Sequence, residues 1–453
     1  MWSLGSRQAI GGYRVDVGLG RASLALLAAV LTASVVVSAS PAGSAARHGR
    51  LEAVQGLYVS PHGVAGAADR NCASAGYSSV QAAVDAAAAG GTVVVCRGSY
   101  TESVVISTPL KLVGQRGAVV HGSRTANGEC DELGAGGPVS APCLAGITVK
   151  SDHVAVRGLT VTGAVGEGIL VTGSLAGHSI GHVLIRGNRV VNDDTDGKPS
   201  QKGSPYPPCR PHGEVPGDCG EAIHLMGVYD SVVSHNRVSG NSGGVLLSDE
   251  LGPTHDNKIA NNFITKNLYD CGVTLPGHNP NALDENGNPQ PSVAGVYDNV
   301  IWHNRITGNG MRDEGAGVLF ANATAGTASY DNLVTHNYIA GNEMAGVTMH
   351  AHTVDAGEYE DLSGNRIVQN TIGPNNLGGD PDAFECAFSC RSHPLLQTTG
   401  VLVFGAVPLD VKIAHNRIRH NEYGIWLGTG TNVTATLERN VFHHVVTAVV
   451  RSR

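Results

Sequence analysis

The chain has 453 residues, a formal net charge of −8 and no block of basic side chains, which argues against nucleic acid and anionic membranes as partners. It holds 61 glycines but only 6 phenylalanines, with 15% charged residues. That composition excludes a helical bundle with a large aromatic core and suits many short strands joined by tight turns.

Residues 1–46 read as an export signal. Arg7, Arg14 and Arg21 give a positive start, Ala22 to Val37 is an apolar run, and Ser44-Ala45-Ala46 supplies small residues for signal peptidase. Cleavage there starts the mature chain near Arg47, secreted and with no membrane association. The alternative is an uncleaved anchor, since the run is about the shortest membrane span. Residues 47–76 form a linker and N-terminal approach, and 77–453 a single domain, expected to act as a monomer.

Nine cysteines in an exported chain point to disulfides. Their grouping proposes four local pairs: Cys72 with Cys96, Cys130 with Cys143, Cys209 with Cys219, and Cys386 with Cys390. Cys271 is left over directly before a strand, where a buried thiol is the expected state.

From Tyr77 the text first spells a short amphipathic helix, with Val80 and Val84 on one face and Gly90-Gly91 ending it. Strands follow at Thr92–Cys96, Ser103–Ile106 and Leu110–Val113. A helix ahead of stacked strands covers an edge that would otherwise pair with another chain. The pattern N-x-[IV]-x-x-N then recurs at Asn236, Asn262, Asn304, Asn337, Asn370 and Asn416, with partial copies at Asn188 and Asn440. Each full copy precedes a second short strand: 244–247, 272–275, 317–320, 346–349, 400–403 and 424–427, while 168–171 and 222–225 extend the series.

One such coil cannot bury its apolar face, but stacked coils make a continuous core from the valine, isoleucine and leucine positions. Asparagine tolerates left-handed backbone at a turn, and its amide can bond to the matching amide one coil along. The predicted fold is therefore all-β: a right-handed parallel β-helix, or solenoid, with an N-terminal capping helix and loop insertions around one sheet. Together the opening SVQAAVDAAAAGGTVVVCRGSYTESVVI and these coils resemble the pectate-lyase-like superfamily over nearly all of the mature sequence. The resemblance implies the fold; the superfamily holds lyases, hydrolases, esterases, epimerases, tailspikes and metal-maturation proteins, and no single enzyme family's motif is matched.

The spacing of the ladder asparagines locates the insertions. Asn416 to Asn440 is 24 residues and Asn236 to Asn262 is 26, whereas 48 residues separate Asn188 from Asn236 and 46 separate Asn370 from Asn416. The extra residues fall at 193–219 and 374–398 before the G-V-x-L strand, and at 276–297, 321–331 and 350–363 after it. Loops on both sides of one sheet face predict a binding groove. Period-two alternation sends Val245, Val273, Val318, Val347, Val401 and Ile425 inward in one column. The alternate residues, among them His224, Thr274, Thr348, Phe404 and Trp426, then form the floor and are candidates for binding a sugar chain.

Asp249, Glu250, His278, His350 and His352 follow the strand ends and are the candidate catalytic group. Coils lie about 4.8 Å apart, so Glu250 and His278 on neighbouring coils could touch. An acid and a base held there would serve elimination from, or hydrolysis of, an acidic, plant or microbial polysaccharide. The plainer reading is that these histidines cap turns. The calcium-binding aspartates and arginine base of pectate lyases are absent from the floor, as are the aspartate motifs of pectin esterases. Calcium is the one cofactor the sequence admits, with oxygen ligands at alternate positions in 193–197 and 284–288. Neither run completes a twelve-residue calcium loop, so turn chemistry explains both better, and no metal ligands are assigned. Two other functions stay open: a non-catalytic polysaccharide-binding or surface-structural protein, and a metal-maturation partner like those of nitrous oxide reductase assembly.

Overall fold

A computed structural model describes residues 56–451 except 124, 126, 128, 135–136, 143, 175–177, 194–220, 313–314, 323, 352–358, 378–397, 406 and 429–431. Three long parallel sheets run the length of this unit, with twelve, eleven and eleven strands. The chain visits them in a fixed order, one strand each per coil. The N-x-[IV] segments, such as Arg237–Ser239, form the second sheet, and the G-V-x-L segments, such as Gly243–Ser248, form the third. A five-stranded sheet from Ile180–Gly181 to Ser329–Tyr330 lies between the third and the first in chain order. No helix among the described residues is long and apolar enough to cross a membrane.

The expected inward column is present. Val245, Val273, Val318, Val347, Val401 and Ile425 pair in unbroken register, and all belong to one buried core. Glycine opens these strands for a steric reason. A Cβ on Gly272 would run into Ile306 and sit 2.7 Å from the Gly317 carbonyl oxygen, so this coil needs glycine to close to sheet spacing, while Ala222 fills the matching place two coils earlier.

The ladder asparagines that open each repeat do not themselves take the left-handed conformation. The residue before each does: His235, Asn261, His303, His336, Gln369 and His415 all have φ between 53° and 60°. Asparagine is needed for its amide instead. In each rung its backbone N–H and Nδ2 both donate to Oδ1 of the next asparagine, as from Asn262 to Asn304 at 2.9 and 3.0 Å. A second ladder runs through Asn241, Asn267, Asn309, Asn342 and Asn375, with Asp193 at its start. A third joins Asn257, Asn299, Asn332 and Asn365 at the first sheet.

The predicted capping helix is Val80–Ala86, with Val80, Ala83 and Val84 buried against the core. Ser79 caps it, and the Glu102 carboxylate accepts from the Val80 and Gln81 amides at 2.9 Å, as suits an anion at a helix N-terminus. Part of the approach segment is itself built into the solenoid, because Leu57–Val59 pairs with Val93–Val95 as the first strand of the first sheet. The Cys72–Cys96 disulfide ties that segment to the first coil. Cys271 is a buried thiol whose sulfur accepts from the Ala316 amide at 3.1 Å. The side chains of Cys130, Cys143, Cys209, Cys219, Cys386 and Cys390 lie outside the described residues.

Candidate functional site

The outward face of the third sheet carries the candidate residues in register. One column reads His224, Leu246, Thr274, Leu319, Thr348, Leu402 and Trp426. A second holds Pro276, Ala321, His350 and Phe404. The face was expected to be an open floor; instead nearly all of it is buried, including His224, Thr274, Thr348, Phe404 and Trp426. Apolar residues next to the strands pack onto part of this face. Leu251 packs with Leu170 and Met226, Ala345 with Leu402 and Trp426, and Met344 with Leu319 and Cys271. The Trp426 ring meets Tyr423 edge-on at 4.8 Å and is not an open platform.

At the end of strand Gly243–Ser248 the buried side chains form a connected polar chain. Glu250 Oε1 lies 2.5 Å from His278 Nδ1, the contact between neighbouring coils that the register anticipates. The other carboxylate oxygen of Glu250 accepts a short hydrogen bond from Ser248 Oγ. Ser248 Oγ is 2.7 Å from His224 Nε2, and His224 Nδ1 faces Glu167 Oε1 at 3.3 Å. Burial alone would raise the Glu250 carboxyl, but the His278 charge and hydrogen bond, with His224 and Ser248, hold it down at about 2. Glu250 is therefore an anion on which donors converge. Ser248 gives it the hydroxyl proton, so the His224 Nε2–H donates to Ser248, and His278 carries its proton on Nδ1.

Asp249 plays a different part. Burial and the neighbouring Glu250 push its carboxyl up to about 6, against backbone hydrogen bonds that favour the anion. Its Oδ1 accepts from the His278 and Asn279 amides at 2.7 and 3.0 Å, and Oδ2 from Gly295 at 2.7 Å. It is a staple for the backbone.

The five candidate catalytic residues are therefore not one contact group. Asp249, Glu250 and His278 are together. His350 pairs with Ala321, which pairs with Pro276, so it stands two coils further along. His352 lies outside the described residues. His224, expected as an outlying binding residue, joins the cluster directly, and Glu167 and Ser248 were not among the candidates. Ser248 was legible as an outward residue of its strand. Glu167 had only its position two residues before Ile169, the partner of Ile223, to mark it.

The calcium candidates divide. In 284–288 the Asp284 carboxylate accepts from the Asn286 and Asn288 amides at 2.8 and 2.9 Å, an exposed turn held by its own side chain. Residues 194–197 of the other run lie outside the described residues. No group of three or more His, Cys, Asp or Glu side chains among the described residues is arranged to hold a metal.

Comparison with solved structures settles the architecture. The A-module of mannuronan C-5 epimerase AlgE4 from Azotobacter vinelandii superposes with a TM-score of 0.50 at 17% identity, over 82% of this chain and 92% of that one. The chain has the right-handed parallel β-helix fold. PfbA, a surface adhesin of Streptococcus pneumoniae, superposes on the β-helix equally well, with a TM-score of 0.50 at 15% identity over 83% of this chain and 88% of its own. Residues 211–346 of the β-helix match the family described as periplasmic copper-binding protein (NosD). No curated protein sequence matches it.

Proposed function

We propose that this β-helix is an exported, monomeric, carbohydrate-active protein that abstracts a proton from a uronic acid unit of an acidic polysaccharide, leading to elimination or epimerisation. The observation that carries this reading is the Glu250–His278 pair, 2.5 Å apart just beyond the ends of two neighbouring strands of the third sheet. In this reading the active form is the neutral His278 ring, which donates its Nδ1–H to Glu250, and the Glu250 anion stabilises the imidazolium that forms when the ring takes a proton from the substrate. Hydrolysis fits less well, because it needs two carboxyl groups flanking the glycosidic bond. Asp249 is engaged by three backbone amides, and Glu250 by His278 and Ser248. The fold shared with a mannuronan epimerase supports a polyuronate substrate, and the Cys72–Cys96 disulfide supports an oxidising, extracytoplasmic compartment.

The test is a polysaccharide panel read three ways: absorbance of unsaturated products, deuterium uptake from D2O, and reducing ends. Elimination or deuterium uptake that falls about a hundredfold in His278→Ala and Glu250→Gln supports the reading. Reducing ends without either signal would establish hydrolysis instead. Binding without turnover would favour a non-catalytic role.

The match over 211–346 favours a second reading, copper handling. The described residues do not fit a copper centre. Cys271 and Met344 are soft donors, but they sit in an apolar cluster with Ala316 and Leu319, and His224 and His278 are bonded to Ser248 and Glu250. No step is derived through a metal.

A further inference from the structure

We propose that the outward face of the second sheet is an anion-binding platform that holds a linear acidic polysaccharide along the coil axis. The residue after each ladder asparagine points outward from this sheet. In register these residues are Arg189, Arg237, Phe263, Arg305, Tyr338, Thr371 and Arg417. The four arginines are exposed, and so is Phe263, at 58%. Its ring lies between two arginines of the column, and an aromatic ring flanked by cations suits a sugar face.

Three further features define the ligand. The four arginines make no ion pair among the described residues, and neither of the two outward columns holds a described Asp or Glu between Thr160 and His443. The neighbouring column presents Ser239, Thr265 and Thr307, hydroxyls suited to sugar hydroxyls. Arg305 lies 4.6 Å from the Tyr338 ring centre and Arg419 lies 5.7 Å from it, so stacking orders part of the stripe before any ligand arrives. Coils repeat every 4.8 Å or so, close to the rise of one sugar in an extended glycan, and guanidinium forks match carboxylates two bonds at a time. The molecule as a whole is at −8, so this stripe is a segregated cationic surface. A nucleic acid, with its denser charge, would meet more of the repulsion from the rest of the molecule.

This platform is on a different sheet from Glu250 and His278 and does not rest on their chemistry. The test is binding of the purified protein to immobilised sodium polygalacturonate at low salt. The same polymer fully methyl-esterified and a single-stranded DNA serve as comparisons. The expected result is retention on the polyuronate that weakens with salt, little on the methyl ester, and less on DNA. The variant Arg189→Gln/Arg237→Gln/Arg305→Gln/Arg417→Gln should bind at least tenfold more weakly with an unchanged melting temperature, and Arg237→Gln/Arg305→Gln serves if the fourfold variant folds poorly. Turnover of the arginine variants, read on the same polymer, keeps loss of binding distinct from loss of turnover. Absence of binding by the parent, unchanged binding by the arginine variants, equal retention on the methyl ester, or tighter binding of DNA would each overturn the proposal.

Discussion

Replacing Asn304 with alanine tests the ladders that hold the coils together. Asn304 Oδ1 accepts from the Asn262 N–H at 2.9 Å and from its Nδ2 at 3.0 Å, while Asn304 Nδ2 donates to the Ile259 carbonyl at 2.8 Å and to Asn337 Oδ1 at 3.1 Å. Alanine deletes all four bonds. The losses are unequal, because Asn262 Nδ2 keeps the Val233 carbonyl and Asn337 Oδ1 keeps the Asn304 backbone amide. The Asn262 N–H loses the most, because the Ile259 carbonyl belongs to a strand still paired with Val300–Trp302. At about 1–3 kcal/mol for a buried group left unmade, the variant should be less stable by about that amount. Asn304→Asp restores the acceptor but aims an oxygen at two oxygens, so it should rescue little at neutral pH. Asp193 shows where aspartate is accepted: at the head of a ladder, with Oδ1 taking the Ala164 amide at 2.9 Å. Urea unfolding gives the energy, and hydrogen exchange at the Asn262 amide gives the place. A loss under about 1 kcal/mol, or unchanged exchange at Asn262, would refute this account of the ladder.

Three further outcomes are expected. Stability should peak near pH 4–5 as far as the two adjacent carboxyls decide it. Glu250, held at about 2, contributes stability that is lost as pH falls below its ordinary range, whereas Asp249, raised to about 6, contributes stability present below about pH 4 and lost as pH rises through 6. Urea midpoints between pH 3 and 8 should show both limbs, and Asp249→Asn should flatten the upper one. Serine at Cys72 and Cys96 should cost about 3.5 kcal/mol by loop entropy, with the first coil the first to be cleaved in limited proteolysis. Thiol counting on the denatured, unreduced parent should find one thiol, Cys271; three or more would break the proposed local pairing of the other cysteines.

The repeat made the fold readable. Residue types recurring once per coil fixed the strand register, and with it the buried valine column and the Glu250–His278 contact. What the sequence concealed had physical causes. Leu251, Met344 and Ala345 look like ordinary turn residues, yet they fold onto the outward face and bury part of what alternation alone presented as an open floor. The third ladder was legible as well, since Asn257, Asn299, Asn332 and Asn365 each open the same N-x-[IV]-x-x-N frame five residues before a counted copy, and it was missed because the two copies overlap. The arginine stripe escaped for another reason. Its signal, Asn-Arg-[Val/Ile] at 188–190, 236–238, 304–306 and 416–418, is regular, but folding is needed to bring charges dozens of residues apart into one column.

Asp249 and Glu250 show how one coil can set a site on the next. They are adjacent in sequence and both buried, but their carboxylates have unlike partners: backbone amides for Asp249, side-chain donors for Glu250. The amides that Asp249 binds belong to His278 and Asn279 at the start of the 276–297 insertion and to Gly295 near its end. One carboxylate therefore closes the base of a loop of about twenty residues and fixes both of its ends on the coil that carries Glu250. His278 is positioned by its own backbone bond to Asp249, so its ring reaches Glu250 without depending on the course of the loop beyond. Such a loop can change in sequence and length while the pair at its base keeps its geometry. That arrangement suits a scaffold whose insertions choose the ligand and whose coils hold the chemistry.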